Sequence, residues 1–230
     1  MSQSASTGMA QAHPYAMAVA AALKRRRREA DAAWWTSVLR ARLQRADESA
    51  VFQVTLVADD AFTQQVSSVI LEAMSPVFER MLRVDMREKA EKRIRMTGVD
   101  AIALRLLGCF LKTGRLAVNF QPTSPEMSST LRRVLVQLLN AAHMYELDEL
   151  KKRVDSRLLE IVSSGNAMEL LEPALTMGSE QLVDNVFVAL NGVPKEELCQ
   201  SETFQRALAN HWQAVVRRMQ FAPTLCNGHV

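Results

Sequence analysis

Val69-Ile70-Leu71-Glu72-Ala73-Met74-Ser75-Pro76-Val77-Phe78-Glu79-Arg80-Met81-Leu82 is the stretch that decides the fold of this 230-residue chain. Val69, Ile70 and Ala73, then Val77, Phe78, Met81 and Leu82, recur at helical spacing, so each piece presents one face for burial. Pro76 interrupts them where a first helical turn tolerates a residue without an N–H, and Ser75 just before it is a capping residue. The reading is two short helices meeting at a Ser-Pro joint.

Upstream, Val51-Phe52-Gln53-Val54-Thr55-Leu56-Val57 is dense in β-branched and apolar residues and ends at Asp59-Asp60, as a strand ends in a turn. A second strand is expected over Phe62 to Val66. A third is expected at Lys92-Arg93-Ile94-Arg95-Met96, where polar and apolar residues alternate before Gly98. Asp100 then caps a helix with the stripe Ile102, Ala103, Leu106, Leu107, Phe110 and Leu111, which stops at Thr113-Gly114. Cys109 beside Phe110 reads as a small core hydrophobe.

Gln121 to Ser129, with two prolines and four Ser or Thr residues, is expected to be a loop. Two amphipathic helices follow, with stripes Leu131 to Ala142 and Leu147 to Ile161. The short break at Met144-Tyr145-Glu146 makes them antiparallel neighbours. His143 follows the first stripe and reads as a hydrogen-bonded structural histidine. Everything downstream is helical: Asn166 and Glu169 have capping-box spacing, and Pro173 conflicts with a helix interior, implying a kink or a later start. Gly178 and Asn191-Gly192 are stops, and Ser201 opens a last helix with Phe204, Leu208, Trp212, Val215 and Met219 on one face. Strands mixed with helices early and helices alone later indicate an α+β domain with an all-helical extension.

Residues 1 to about 30 are rich in Ser, Ala and Gln and lack lasting periodicity. The organisation read from this is a disordered basic tail over 1–33, the α+β domain with an N-terminal helix over 34–150, the helical extension over 151–220, and a second disordered tail over 221–230. Lys24-Arg25-Arg26-Arg27-Arg28 fits a nuclear import signal, the basic part of an organelle transit peptide, or the solvated start of a helix through Trp34, Trp35, Val38, Leu39 and Leu43. The apolar run Met17 to Leu23 precedes these charges, opposite to the order in a secretory signal, and no apolar stretch approaches the ~20 residues that span a bilayer.

A net charge of +3 defines no partner. Cys109, Cys199 and Cys226 are far apart and form no CxxC or Cys/His spacing, so the expectation is a reducing compartment (nucleus and/or cytoplasm), with no metal site and no cofactor. With eight glycines, none in a GxGxxG or Walker pattern, and no HExxH or GxSxG, the composition points away from an enzyme. Aromatic content of 6% and basic residues interleaved with acids point away from nucleic acid.

Read in order, five segments between Val51 and about Arg153 resemble the BTB/POZ family. They are Val54-Thr55-Leu56-Val57, the Val69 to Phe78 helix pair, Met86-Arg87-Glu88, the helix through Phe110 that ends in Lys112-Thr113-Gly114-Arg115-Leu116, and Leu138-Leu139-Asn140-Ala141-Ala142-His143-Met144-Tyr145-Glu146-Leu147-Asp148-Glu149-Leu150. Residues from about Lys151 to Gln220, with Asn166 to Leu171 and Glu202-Thr203-Phe204, resemble the BACK-like (3-box) helical extension of MATH-BTB ubiquitin-ligase adaptors. The chain departs from the family pattern at Gln53 (usually Asp), at Ser67-Ser68 (usually His-Lys) and at Lys112 (usually Tyr).

The resemblance implies a protein-binding module: a substrate adaptor of a cullin-RING ubiquitin ligase, or a dimerising scaffold or corepressor-docking module without a cullin. It implies a cullin contact at Met86 and Glu88, with Tyr145 nearby, and a homodimer contact through Val54, Val69, Ile70 and Ala73. The partners it implies are the BTB-specific cullin, a second copy and a substrate protein, with neither membrane nor nucleic acid among them.

Overall fold

The computed structural model describes residues 29–30, 32–38, 52–83, 87–117 and 124–219. The basic run Lys24 to Arg28, Leu39, Leu43, Val51, Met86, Cys226 and the tail over 221–230 lie outside the described residues, and of the tail expected over 1–33 only 29–30 and 32–33 are described, where the chain is helical and not disordered.

Residues 32–38 form helix α1. Strand β1 (Gln53–Val57) is the centre of a three-stranded sheet of order β2-β1-β3. It pairs antiparallel with β2 (Thr63–Ser67), Val54 opposite Val66, and parallel with β3 (Arg93–Arg95), Leu56 opposite Ile94. Alternation puts Val54, Leu56, Val66 and Ile94 into the core and Arg93 and Arg95 outside. Asp59 and Asp60 do more than end β1. Their carboxylates accept from the Gly98 and Ala101 amides at 2.7 and 3.0 Å, fastening the β1–β2 turn to the loop before α5.

Helices α2 (Ser68–Met74) and α3 (Pro76–Arg83) meet at the expected Ser-Pro joint, and α4 (Arg87–Glu91) precedes β3. Helix α5 (Ala101–Thr113) begins at Asp100, whose carboxylate accepts from the Ile102 and Ala103 amides at 3.0 Å. It lies close enough to β2 for the Gln64 side chain to cross Gly108, where a Cβ would meet it at 2.0 Å. Cys109 is half-exposed, because the face of α5 turned to the core is carried by Leu104, Leu107, Phe110 and Leu111.

Helix α6 (Pro125–Met144) starts inside the expected loop. Ser124 accepts from the Met127 amide at 3.2 Å and Pro125 takes the first helical position, so the second proline of that stretch starts a helix. Helix α7 (Asp148–Leu159) runs back along α6 and straight through the boundary placed at 150/151. His143 is exposed near the end of α6, outside its buried stripe.

Beyond α7 stand α8 (Ala167–Met177), α9 (Glu180–Leu190), α10 (Lys195–Gln200), α11 (Glu202–Asn210) and α12 (Trp212–Arg218). Asn166 does not cap α8. Its side chain accepts from the Ser163 amide and donates to the Ile161 carbonyl, holding the preceding turn. Pro173 sits inside a helix that runs on to Met177. The single last helix expected after Ser201 is two, divided at His211 (φ −130), and Trp212 is 45% exposed. One apolar core runs from the sheet through α5, α6 and α7 into α8, α9 and α11.

Candidate functional site

Strand β3, helices α3 and α4, and the α6–α7 turn converge on Tyr145. Its ring is buried (5% exposed) and stacks on Phe78 of α3, with centroids 4.6 Å apart and planes inclined by 22°. Its hydroxyl donates to the Arg95 carbonyl at 3.3 Å, covering part of the outer edge of β3. At the other end of the residue, the Ser75 hydroxyl donates to the Tyr145 carbonyl at 2.5 Å. Burial pushes the Tyr145 phenol above its ordinary value, and the Glu88 carboxylate adds to the shift.

Glu88 stands in the first turn of α4, where its charge favours the helix N-terminus. The structure therefore brings Glu88 and Tyr145 together in different roles: Glu88 is half-exposed at the surface and Tyr145 is the floor beneath it. A charged frame surrounds them. Arg80 pairs with Glu146 at 3.3 Å, Arg83 with Glu79 at 3.1 Å, and Arg87 with Glu91 at 2.6 Å. Glu146 adopts the left-handed region (φ 50), which turns the chain from α6 into α7. The resemblance of Met86-Arg87-Glu88 to a BTB/POZ turn pointed to this surface, whereas Ser75 and Phe78 were read as a cap and a helix residue and Arg80 carried no reading.

The four residues expected at a homodimer contact divide into two pairs. Val54 (0% exposed) is packed inside the domain because β1 is the central strand, and Val69 on α2 is 8% exposed. Neither offers appreciable surface to a second chain. Ile70 and Ala73 are half-buried and keep some surface on α2. Ala73 also lines a cleft of about 250 Å³ between α1, the α2–α3 joint and the start of α7, with Trp34, Val38, Met74, Phe110 and Leu147 among its walls.

Helix α1 is held in place by its tryptophans. Trp34 stacks on Phe110 at 6.3 Å, and the Arg153 guanidinium lies 5.6 Å from the Trp34 ring centroid and 5.8 Å from that of Phe110. The Trp35 indole donates to the Leu111 carbonyl at 3.0 Å. Sequence reading found the tryptophans as an apolar stripe and missed Arg153, since nothing local marks a cation that stacks on rings from two other helices. Among the described residues there is no group of three or more His, Cys, Asp or Glu side chains that could hold a metal, and no helix is long and apolar enough to cross a membrane.

The BTB/POZ domain family matches this chain over residues 43–161, just over half its length. The chain belongs to the BTB/POZ family. Kelch-like protein 21 of Rattus norvegicus, of Mus musculus and of Homo sapiens are each 29% identical to it over 140 residues. That alignment covers 61% of this chain and 21% of each relative, so the chain spans about a fifth of the length of the curated relatives it matches. The small sheet flanked by helices is the BTB/POZ fold, and the match takes in β1 to β3 together with α2 to α7. At the level of the family, the module acts in protein–protein interaction.

Proposed function

We propose that this chain is a non-catalytic substrate adaptor of a cullin-RING ubiquitin ligase that engages the BTB-specific cullin through the surface around Met86 and Glu88. The observation that carries the reading is the convergence of α3, α4 and the α6–α7 turn on Tyr145, within a BTB/POZ domain. Tyr145 and Phe78 form a rigid floor, Glu88 and the Arg80–Glu146 pair form a polar rim, and Met86 supplies a soft apolar anchor one residue before α4. One buried anchor can dominate such an interface, while rim charges govern encounter more than affinity. In this reading Ile70 and Ala73 carry the contact with a second copy, and α8 to α12 form a BACK-like extension that widens the cullin contact. A scaffold or corepressor-docking module without a cullin would use the same α2 surface.

Titration calorimetry of the purified chain against the N-terminal half of the BTB-specific cullin tests the reading, with Met86→Asp alongside. Micromolar or tighter binding that the variant loses supports the adaptor. Absence of binding by the wild-type chain leaves the scaffold.

A further inference from the structure

We propose that Ser75 is a positioning residue for this surface, setting the height of the α6–α7 turn against α3. Its hydroxyl makes two bonds at once in a fully enclosed position. It accepts from the Phe78 amide at 3.0 Å, which caps α3, and it donates to the Tyr145 carbonyl at 2.5 Å, 70 residues along the chain. Capping alone requires only an acceptor, which Asp or Asn supplies equally well. The second bond requires a donor on the same atom, and a carboxylate there would repel the carbonyl. A hydroxyl meets both demands.

The Tyr145 carbonyl needs this partner because it belongs to the last turn of α6, where carbonyls have no acceptor role inside the helix. Left-handed Glu146 follows at once and ion-pairs with Arg80, one turn further along α3. The first turns of α3 thus hold the α6–α7 turn at three heights: Ser75 at the Tyr145 backbone, Phe78 at its ring, and Arg80 at Glu146. Of the two polar contacts, the Arg80–Glu146 pair is exposed and the Ser75 bond is sealed from water, where a lost partner leaves an unsatisfied carbonyl.

This inference rests on the partner surface proposed above, and it is tested by two readouts that can fail separately. Amide hydrogen exchange of the free chain is compared for wild type, Ser75→Ala and Ser75→Thr. Exchange at Glu146 and Leu147 should quicken at least about ten-fold in Ser75→Ala, stay unchanged in β1, and return towards wild type in Ser75→Thr, which keeps the hydroxyl. If the alanine variant does not fold, near-isosteric Ser75→Cys takes its place. Exchange that is unchanged, or that quickens equally in β1, overturns the inference. Cullin affinity should fall about ten-fold in the same variant, and equal affinity despite a loosened turn also overturns it. If the wild-type chain binds no cullin, the adaptor reading fails, and the exchange data alone decide the role of Ser75.

Discussion

Gly114 ends α5 in the left-handed region (φ 66), donating its amide to the Phe110 carbonyl at 2.7 Å. A side chain there would be strained by the backbone and would place a Cβ 2.6 Å from that of Trp35. Left-handed geometry costs roughly 1–2 kcal/mol for an L-residue, and displacing Trp35 adds the loss of its bond to Leu111. Gly114→Ala should therefore lower Tm by roughly 4–10 °C, at about 2–4 °C per kcal/mol for a chain of this size. It should also shift tryptophan emission to the red as Trp35 leaves its packing. A variant with wild-type melting and emission would mean that α1 does not depend on this contact.

Helices α7 and α9 meet at a buried carboxylate. Asp155 is 5% exposed, and burial raises its pKa above the ordinary 3.8, with Ser179 at the start of α9 and Lys151 pulling the other way. A raised folded-state value makes the ionised form the costly one. The stability contributed by the protonated acid is fully present below the unfolded value and is lost as pH rises through the folded value. At pH 7 the charge remains as a cost, so Asp155→Asn should melt a few degrees higher than wild type, and the gap should close as pH falls towards 4. Melting curves at pH 7, 5.5 and 4 check this. An Asn variant less stable at every pH would mean that bonds from Ser179 outweigh the burial of the charge.

Across the whole molecule, the sheet and the helical extension share one core, in which Leu131, Leu135 and Leu138 of α6 belong to the same apolar cluster as Leu170, Leu171 and Phe204. The extension packs directly on the BTB/POZ domain through α6 with α8 and α7 with α9. Two segments that bury each other's apolar surface are expected to unfold together. Differential scanning calorimetry should accordingly show a single transition with equal calorimetric and van't Hoff enthalpies. Two resolved transitions would show that the extension holds its own stability and that the shared surface contributes little.

How far the sequence could be read follows the range of the interactions involved. Ser75, Asp100 and Ser201 start helices through bonds to amides two or three residues ahead, and Gly114 and Gly178 stop them with bonds to carbonyls four residues back. These are local and therefore legible, as were the β-branched density of β1 and the alternation of β3. Where local signals pointed both ways, reading failed: Pro125 looked like loop and starts a helix, and Asn166 looked like a cap and holds a turn. The candidate site was legible only as a resemblance of spacing, because its geometry is made by pairs far apart: Tyr145 with Arg95 across 50 residues, Ser75 with Tyr145 across 70, and Trp35 with Leu111 across 76. Sequence by itself determined the three strands, most of the longer helices with several of their caps and stops, and the α+β class, since each follows from neighbours within a turn or two. Tertiary structure alone decided that β1 is central, that Val54 is interior, and that Tyr145 is a floor beneath Glu88, because periodicity states which face is buried and not what it is buried against.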